Sequence, residues 1–192
     1  IKGRIVVTGI GKSAIIAQKI VATFNSTGSP SIFMHAADAI HGDLGIIQKN
    51  DAIICISKSG DTPEIKVLVP LLRNWGNKLI AIVGNTDSYL GKNCDYVLNT
   101  FVAKEACPNN LAPTSSSAAQ LAMGDALAVC LLDEKGFTSK DFAKYHPGGA
   151  LGKKLYLKVK DIYPANAAPK VNINEDIRKV IVEISSNRLG AV

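Results

Sequence analysis

The sequence predicts an α/β protein: a doubly wound, mainly parallel five-stranded sheet with helices on both faces. Short β-branched apolar runs alternate with stretches of helical character, the pattern of strands joined by crossover helices. The runs Ile5-Val6-Val7, Ala52-Ile53-Ile54-Cys55-Ile56 and Leu79-Ile80-Ala81-Ile82-Val83 are almost continuously apolar, as strands covered on both faces must be. With 47% hydrophobic and 20% charged residues in 192, the chain can bury a core, which excludes disorder and fibrous repeats.

In order, the strands are expected near Arg4 to Thr8, Ser31 to His35, Asp51 to Ser57, Lys78 to Val83 and Tyr96 to Thr100. Helices are expected at Ser13 to Thr27, Thr62 to Asn74, Leu90 to Asn93 and Ser115 to Lys135. After Gly152 the character changes: a lysine-containing stretch leads to a Pro/Ala/Asn-rich segment ending at Pro169, and a further helix is expected at Glu175 to Ser185. A boundary at residue 152 follows, with a linker over 153–170 and the start of a second unit over 171–192.

Several function classes are disfavoured. The net charge is +6, but residues 1–150 hold 14 Lys/Arg against 12 Asp/Glu, so most of the excess lies in the last fifth. With no basic run longer than two and no interleaved aromatics, an anionic small molecule is a better partner than nucleic acid. The longest continuous apolar runs fall well short of the roughly 20 residues of a membrane span. Cys55, Cys94, Cys107 and Cys130 show no disulfide-type spacing and no signal peptide is visible, so a reduced, cytoplasmic setting is expected.

In doubly wound sheets ligands bind beyond the carboxyl ends of the strands. The first such loop, Thr8-Gly9-Ile10-Gly11-Lys12-Ser13-Ala14, fails as a P-loop because Val6 stands where the leading glycine is needed. It fails as a dinucleotide fingerprint because His35, not a carboxylate, closes the second strand. What remains is a tight turn placing Ser13 at a helix N-terminus and Lys12 beside it, suited to a phosphate or an enolate oxygen. The loop Ser57-Lys58-Ser59-Gly60-Asp61-Thr62 collects hydroxyls, a glycine and a helix start, and reads as a phosphate cradle. Thr62 with Pro63 also reads as an N-cap. Glu64 is either a complement to the helix dipole or a base facing the ligand.

In the loop after the fifth strand two prolines, Pro108 and Pro113, stiffen the chain and hold Glu105 at the strand end, ahead of a helix capped by Thr114 or Ser115. Glu105 is a candidate base, and its charge is expected to disfavour a thiolate at Cys107. His41 and His146 lie in glycine-flanked loops and read equally as turn histidines. The three histidines lack catalytic zinc spacing, although His35 and His41 are able to trap an adventitious zinc ion.

The glycine turn, the Ser57–Thr62 loop and Thr114-Ser115-Ser116-Ser117 together resemble a sugar isomerase (SIS) domain. Longer strings, Ile40-His41-Gly42-Asp43-Leu44-Gly45, Glu105-Ala106-Cys107-Pro108, Met123-Gly124-Asp125-Ala126-Leu127-Ala128 and His146-Pro147-Gly148-Gly149-Ala150-Leu151-Gly152, resemble the arabinose 5-phosphate isomerase family over residues 3–162. That resemblance implies interconversion of D-ribulose 5-phosphate and D-arabinose 5-phosphate through a cis-enediol, on the route to Kdo and lipopolysaccharide. It implies catalytic importance for Lys12, Glu64, Glu105 and His146, and substrate contacts near Gly28, Ser29, His35 and His41, the last two with zinc contact that catalysis does not require. Ser13, Ser57, Ser59, Thr62 and Ser115 complete the expected substrate site. The residue types suit Glu105 as carbon base, Glu64 or His146 as oxygen shuttle and Lys12 as electrophile. No cofactor is expected. The resemblance further implies a homotetramer with sites between subunits and a tail from Val159 that begins a CBS module. A non-catalytic sugar-phosphate sensor and an isomerase of another phosphosugar are the alternatives.

Overall fold

The computed structural model describes residues 2–158, 161, 169–188 and 190–192. The expected start of a CBS segment at Val159, most of the Pro/Ala/Asn-rich stretch before Pro169, and Leu189 lie outside the described residues. The chain divides into two compact units, residues 1–145 and 146–192.

In the first unit, β1 (Ile5–Gly9), β2 (Ser31–His35), β3 (Ala52–Ser57), β4 (Lys78–Val83) and β5 (Tyr96–Asn99) form one sheet in the order β2-β1-β3-β4-β5. Every pairing is parallel, with Ile5 opposite both Ser31 and Ala52, and Ala52 opposite Lys78. The apolar runs conceal a period of two. Val6, Ile53, Cys55, Leu79 and Ala81 face one cluster, while Ile5, Val7, Ile54, Ile56 and Ile82 face another.

The first cluster is closed by α2 (Ala36–Ala39), α3 (Pro63–Asn74) and α4 (Tyr89–Asn93). Ile65, Leu68, Val69 and Leu72 of α3 recur at helical spacing and are fully buried, each contributing about 1.5–3 kcal/mol. The second is closed by α1 (Lys12–Ser26), through Ala17, Ile20 and Phe24, and by α5 (Ser115–Glu134). Helices on both faces make the sheet doubly wound, as predicted.

α5 meets the length and composition of a membrane span, unlike the sequence expectation, which counted only unbroken apolar runs. Its row Ser116, Gln120, Gly124 and Ala128 is buried in this unit. At Gly124 a Cβ would come within 2.3 Å of the Ile20 side chain, so the glycine sets how closely α5 lies on α1. The short α2, the 3₁₀ turn Asp43–Ile46 and α6 (Ser139–Tyr145) had no sequence expectation, being too brief to show a 3.6-residue period. In the second unit α7 (Ala150–Tyr156) was likewise unexpected, and α8 (Ile177–Asn187) starts two residues later than predicted, capped by the Asp176 carboxylate accepting the Arg178 N–H.

The amino ends of β1 and β3 are tied by Asp51, whose buried carboxylate accepts from the Arg4 guanidinium at 2.9 Å, the Arg4 N–H at 2.8 Å and the Gln48 N–H at 2.9 Å. Burial pushes this carboxyl up, but the Arg4 and Gln48 hydrogen bonds with the Arg4 charge outweigh it, leaving a pKa below the ordinary value. A depressed folded pKa contributes stability that is present above the unfolded pKa and is lost as pH falls through the folded one. Asp51→Asn is therefore expected to cost about 2–3 kcal/mol at neutral pH and progressively less in acid. Denaturant titration at pH 7 and pH 3 checks this; an equal cost at both overturns it.

Candidate active site

The strand order reverses between β1 and β3, and a cleft of about 230 Å³ opens beyond their carboxyl ends, where doubly wound sheets bind ligands. The β1–α1 turn supplies Lys12 and Ser13, the β3–α3 loop supplies Ser57, Lys58, Ser59 and Thr62, and the start of α5 supplies Ser116, Ser117 and Gln120. Three helices, α1, α3 and α5, thus begin at one cleft. None has its first turn capped by its own N-cap side chain. The leading N–H groups and dipoles of α1 and α3 make this end of the sheet attractive to an anion, while α5 already holds one, the Glu105 carboxylate.

The β3–α3 loop is shaped by Gly60, at φ +73°. Ser57 Oγ accepts from the Gly60 N–H at 3.0 Å and Ser59 Oγ from the Asp61 N–H at 3.3 Å, so each hydroxyl keeps its proton to donate. Thr62 is not the expected side-chain cap: its Oγ1 is buried and has no hydrogen-bond partner among the described residues. A buried, unpaired hydroxyl lining a cleft rimmed by other hydroxyls suits an acceptor-rich ligand such as a phosphate. Ser13 Oγ donates to Gln120 Oε1 at 3.1 Å, joining α1 to α5 across the cleft floor.

Glu105 lies behind this wall with a fully buried side chain. Asn110, in a left-handed turn at φ +54°, accepts the Glu105 N–H through Oδ1 at 2.6 Å and holds the loop. Glu105 Oε2 accepts the N–H groups of Thr114 at 2.8 Å and Ser116 at 3.1 Å, so the carboxylate caps α5 in place of Thr114 or Ser115. Oε1 accepts the Ser116 hydroxyl and pairs with Lys58 Nζ at 2.7 Å. The Lys58 ammonium, the Ser116 hydroxyl and the Thr114 N–H hold the Glu105 carboxyl far below the usual carboxylate range, outweighing burial.

Other expected residues fall elsewhere. Gly28 and Ser29 precede β2 and lie at the amino ends of the strands, opposite the cleft, because parallel strands all point the same way. Gly28, at φ +78°, lies under the stacked rings of Phe137 and Tyr145, and Ser29 Oγ accepts from Lys135 Nζ at 2.8 Å. Ser115 does not line the cleft, since the helical phase turns Ser116 and Ser117 inward. Glu64, half-buried in the first turn of α3, has no hydrogen bond or ion pair among the described residues. His35 ends β2 at the cleft end of the sheet, with Nδ1 3.6 Å from Asp38 Oδ2, and His41 is exposed. Among the described residues no three His, Cys, Asp or Glu side chains converge as a metal site. His146 opens the second unit, where its carbonyl accepts the Gly149 N–H at 3.0 Å and Gly152 packs closely on the same oxygen. Cys107 reverses its expectation: the Ala112 and Leu111 N–H groups donate to Sγ at 3.3 Å each and lower its pKa.

Sequence reasoning passed over Lys58, although it stands in the loop it singled out, and Gln120. The signal for Gln120 was its spacing of four from Ser116 on one helix face.

Against known proteins, the SIS domain family matches residues 1–130. The chain is 50% identical over 190 residues to the arabinose 5-phosphate isomerase KdsD of Francisella tularensis and 49% identical over 190 residues to KdsD of Escherichia coli K12, each match covering 98% of this chain and 58% of the relative. It thus spans little more than half the length of these curated relatives. Among solved structures it resembles E. coli CFT073 c3406 in complex with arabinose 5-phosphate, with 46% identity, a TM-score of 0.74 and coverage of 76% of this chain and 78% of that one. A hydroxyl-lined cleft at the reversal of a five-stranded parallel sheet and a family match over two-thirds of the sequence agree: this chain belongs to the SIS domain family.

Proposed function

We propose that this chain contains the isomerase domain of a D-arabinose 5-phosphate isomerase, interconverting that aldose with D-ribulose 5-phosphate toward Kdo and lipopolysaccharide. The observation that carries the reading is the convergence of the α1 and α3 N-termini and the Ser57, Ser59 and Thr62 hydroxyls beside an ionised Glu105 that caps α5. The relatives' names and the neighbour bound to arabinose 5-phosphate support the choice of sugar. The reading includes residues 1–152 as the SIS domain, 153–170 as linker, 171–192 as a partial CBS motif, a cytoplasmic homotetramer with sites between subunits, and no cofactor.

Aldose–ketose isomerisation moves a proton between C1 and C2, so it needs a carbon base, an oxygen shuttle and an electrophile. The phosphate sits in the β3–α3 loop, and Lys12 stabilises the enediolate. Glu105 is the carbon base, but five polar groups hold its carboxylate at rest: the Thr114 N–H and hydroxyl, the Ser116 N–H and hydroxyl, and the Lys58 ammonium. Lys58, 48% exposed and lining the cleft, is the group free to leave. An arriving phosphate dianion competes for its ammonium and frees Oε1, so binding the substrate raises the basicity of the residue that acts on it. Glu64 or His146 carries the proton between the oxygens.

The test is full-length protein with D-ribulose 5-phosphate, following arabinose 5-phosphate with and without EDTA. Turnover that survives EDTA and is lost in His146→Ala is expected. Tight phosphosugar binding with no turnover overturns the reading in favour of a sensor. Wash-out of deuterium from C2 of arabinose 5-phosphate labelled there assigns the base: Glu64→Gln retains exchange and Glu105→Gln loses it.

A further inference from the structure

Across the Lys58–Ser59 ridge from the cleft lies a second cavity, of about 350 Å³, within the range of small-ligand sites. Lys58 and Ser59 belong to both, and the remaining wall comes from the loops after β4 and β5, including Asn85, Thr100, Phe101 and Val102. Thr100 is only 6% exposed, and its N–H donates to the Val83 carbonyl at 2.9 Å, which fixes its backbone at the sheet edge. Its Oγ1 is buried with no hydrogen-bond partner among the described residues. Native folds rarely leave such a hydroxyl unanswered without a ligand or water to receive it.

The other polar groups here are also neutral. Asn85 Oδ1 accepts the Asp87 N–H at 3.0 Å, which orients the amide and leaves Nδ2 as a donor. Ser59 Oγ accepts from Asp61 and keeps its own proton to give. Among the described residues lining it, the single cation is Lys58, which the cleft shares and its phosphate claims, so a second anion here would find no charge to meet it. Neutral donors and acceptors set against Phe101 and Val102 match a carbon chain bearing hydroxyls.

We propose that this cavity receives the uncharged, hydroxyl-bearing part of a sugar phosphate whose phosphate lies in the β3–α3 loop, with Thr100 and Asn85 reading its hydroxyls. This rests on the phosphosugar reading of the cleft and assigns specificity to residues outside it.

Calorimetry on the full-length protein tests the assignment with two probes, D-arabinose 5-phosphate and inorganic phosphate. Thr100→Val keeps the shape and removes only an unpaired hydroxyl, so its melting temperature is expected to match or exceed that of the parent. It should bind the sugar phosphate about 5- to 30-fold more weakly and inorganic phosphate within about two-fold of the parent, while Thr100→Ser binds both like the parent. Equal weakening of the sugar phosphate and of inorganic phosphate, or no weakening of any sugar phosphate in the panel, overturns the subsite. D-Ribose 5-phosphate and D-glucose 6-phosphate complete the panel. If one of these binds in a Thr100-dependent way and arabinose 5-phosphate does not, the subsite stands and the sugar assignment falls. If no sugar phosphate binds more tightly than phosphate itself, the subsite falls.

Discussion

On the proposed isomerase reading, with Glu105 as the carbon base, Glu105→Gln is expected to lower turnover by about 10²–10⁴-fold, the usual worth of a positioned general base. Because the carboxylate also caps α5 and pairs with Lys58, the same change should lower the melting temperature. Lys58→Met separates the two roles. It leaves the carboxylate and its α5 contacts in place but removes the cation that contributes most to its low pKa, so the Glu105 pKa rises toward the ordinary carboxylate value. A base works only when ionised, so the acidic limb of the pH profile of kcat/KM in Lys58→Met should lie at higher pH than in the parent. The KM should rise as well, because the phosphate loses a partner. A limb that moves to lower pH, or a Lys58→Met enzyme with unchanged KM and pH profile, overturns the exchange of Lys58 between carboxylate and phosphate.

Gly60→Ala is expected to damage fold and site together. The position has φ +73°, where an L side chain costs about 1–2 kcal/mol. A Cβ there would also lie 2.0 Å from Ser88 Oγ, 2.6 Å from Ser88 Cβ and 2.8 Å from a Val83 methyl, so loop and α4 must part, adding about 1–3 kcal/mol. A fall in melting temperature of roughly 5–15 °C and weaker binding of inorganic phosphate follow. Gly76→Ala is the control, with nearly the same φ of +79° but nothing within 4 Å of its Cβ, so it carries the backbone cost alone. Equal melting temperatures for the two variants would remove close packing against Ser88 from the explanation.

The sheet was legible because its strands are local and strongly marked: β2 and β4 have their predicted bounds, and the others differ by a residue at one or both ends. The loops after β1 and β3 were equally legible as strand-to-helix turns, since glycines and hydroxyls at the end of an apolar run mark where the chain leaves the sheet. What the sequence alone determined is therefore the sheet, its helices and the two turns at its switch point. Tertiary structure decided which side chains meet. Lys58 and Glu105 pair across 47 positions, a contact no periodicity encodes. Gly28 and Ser29 went to the far end because strand direction, not proximity in sequence, sorts residues between the two edges of a parallel sheet. Ser116 replaced Ser115 because one step along a helix is a turn of about 100°. The second cavity depends on a single unpaired oxygen at Thr100, and a hydroxyl becomes conspicuous only once everything around it is packed.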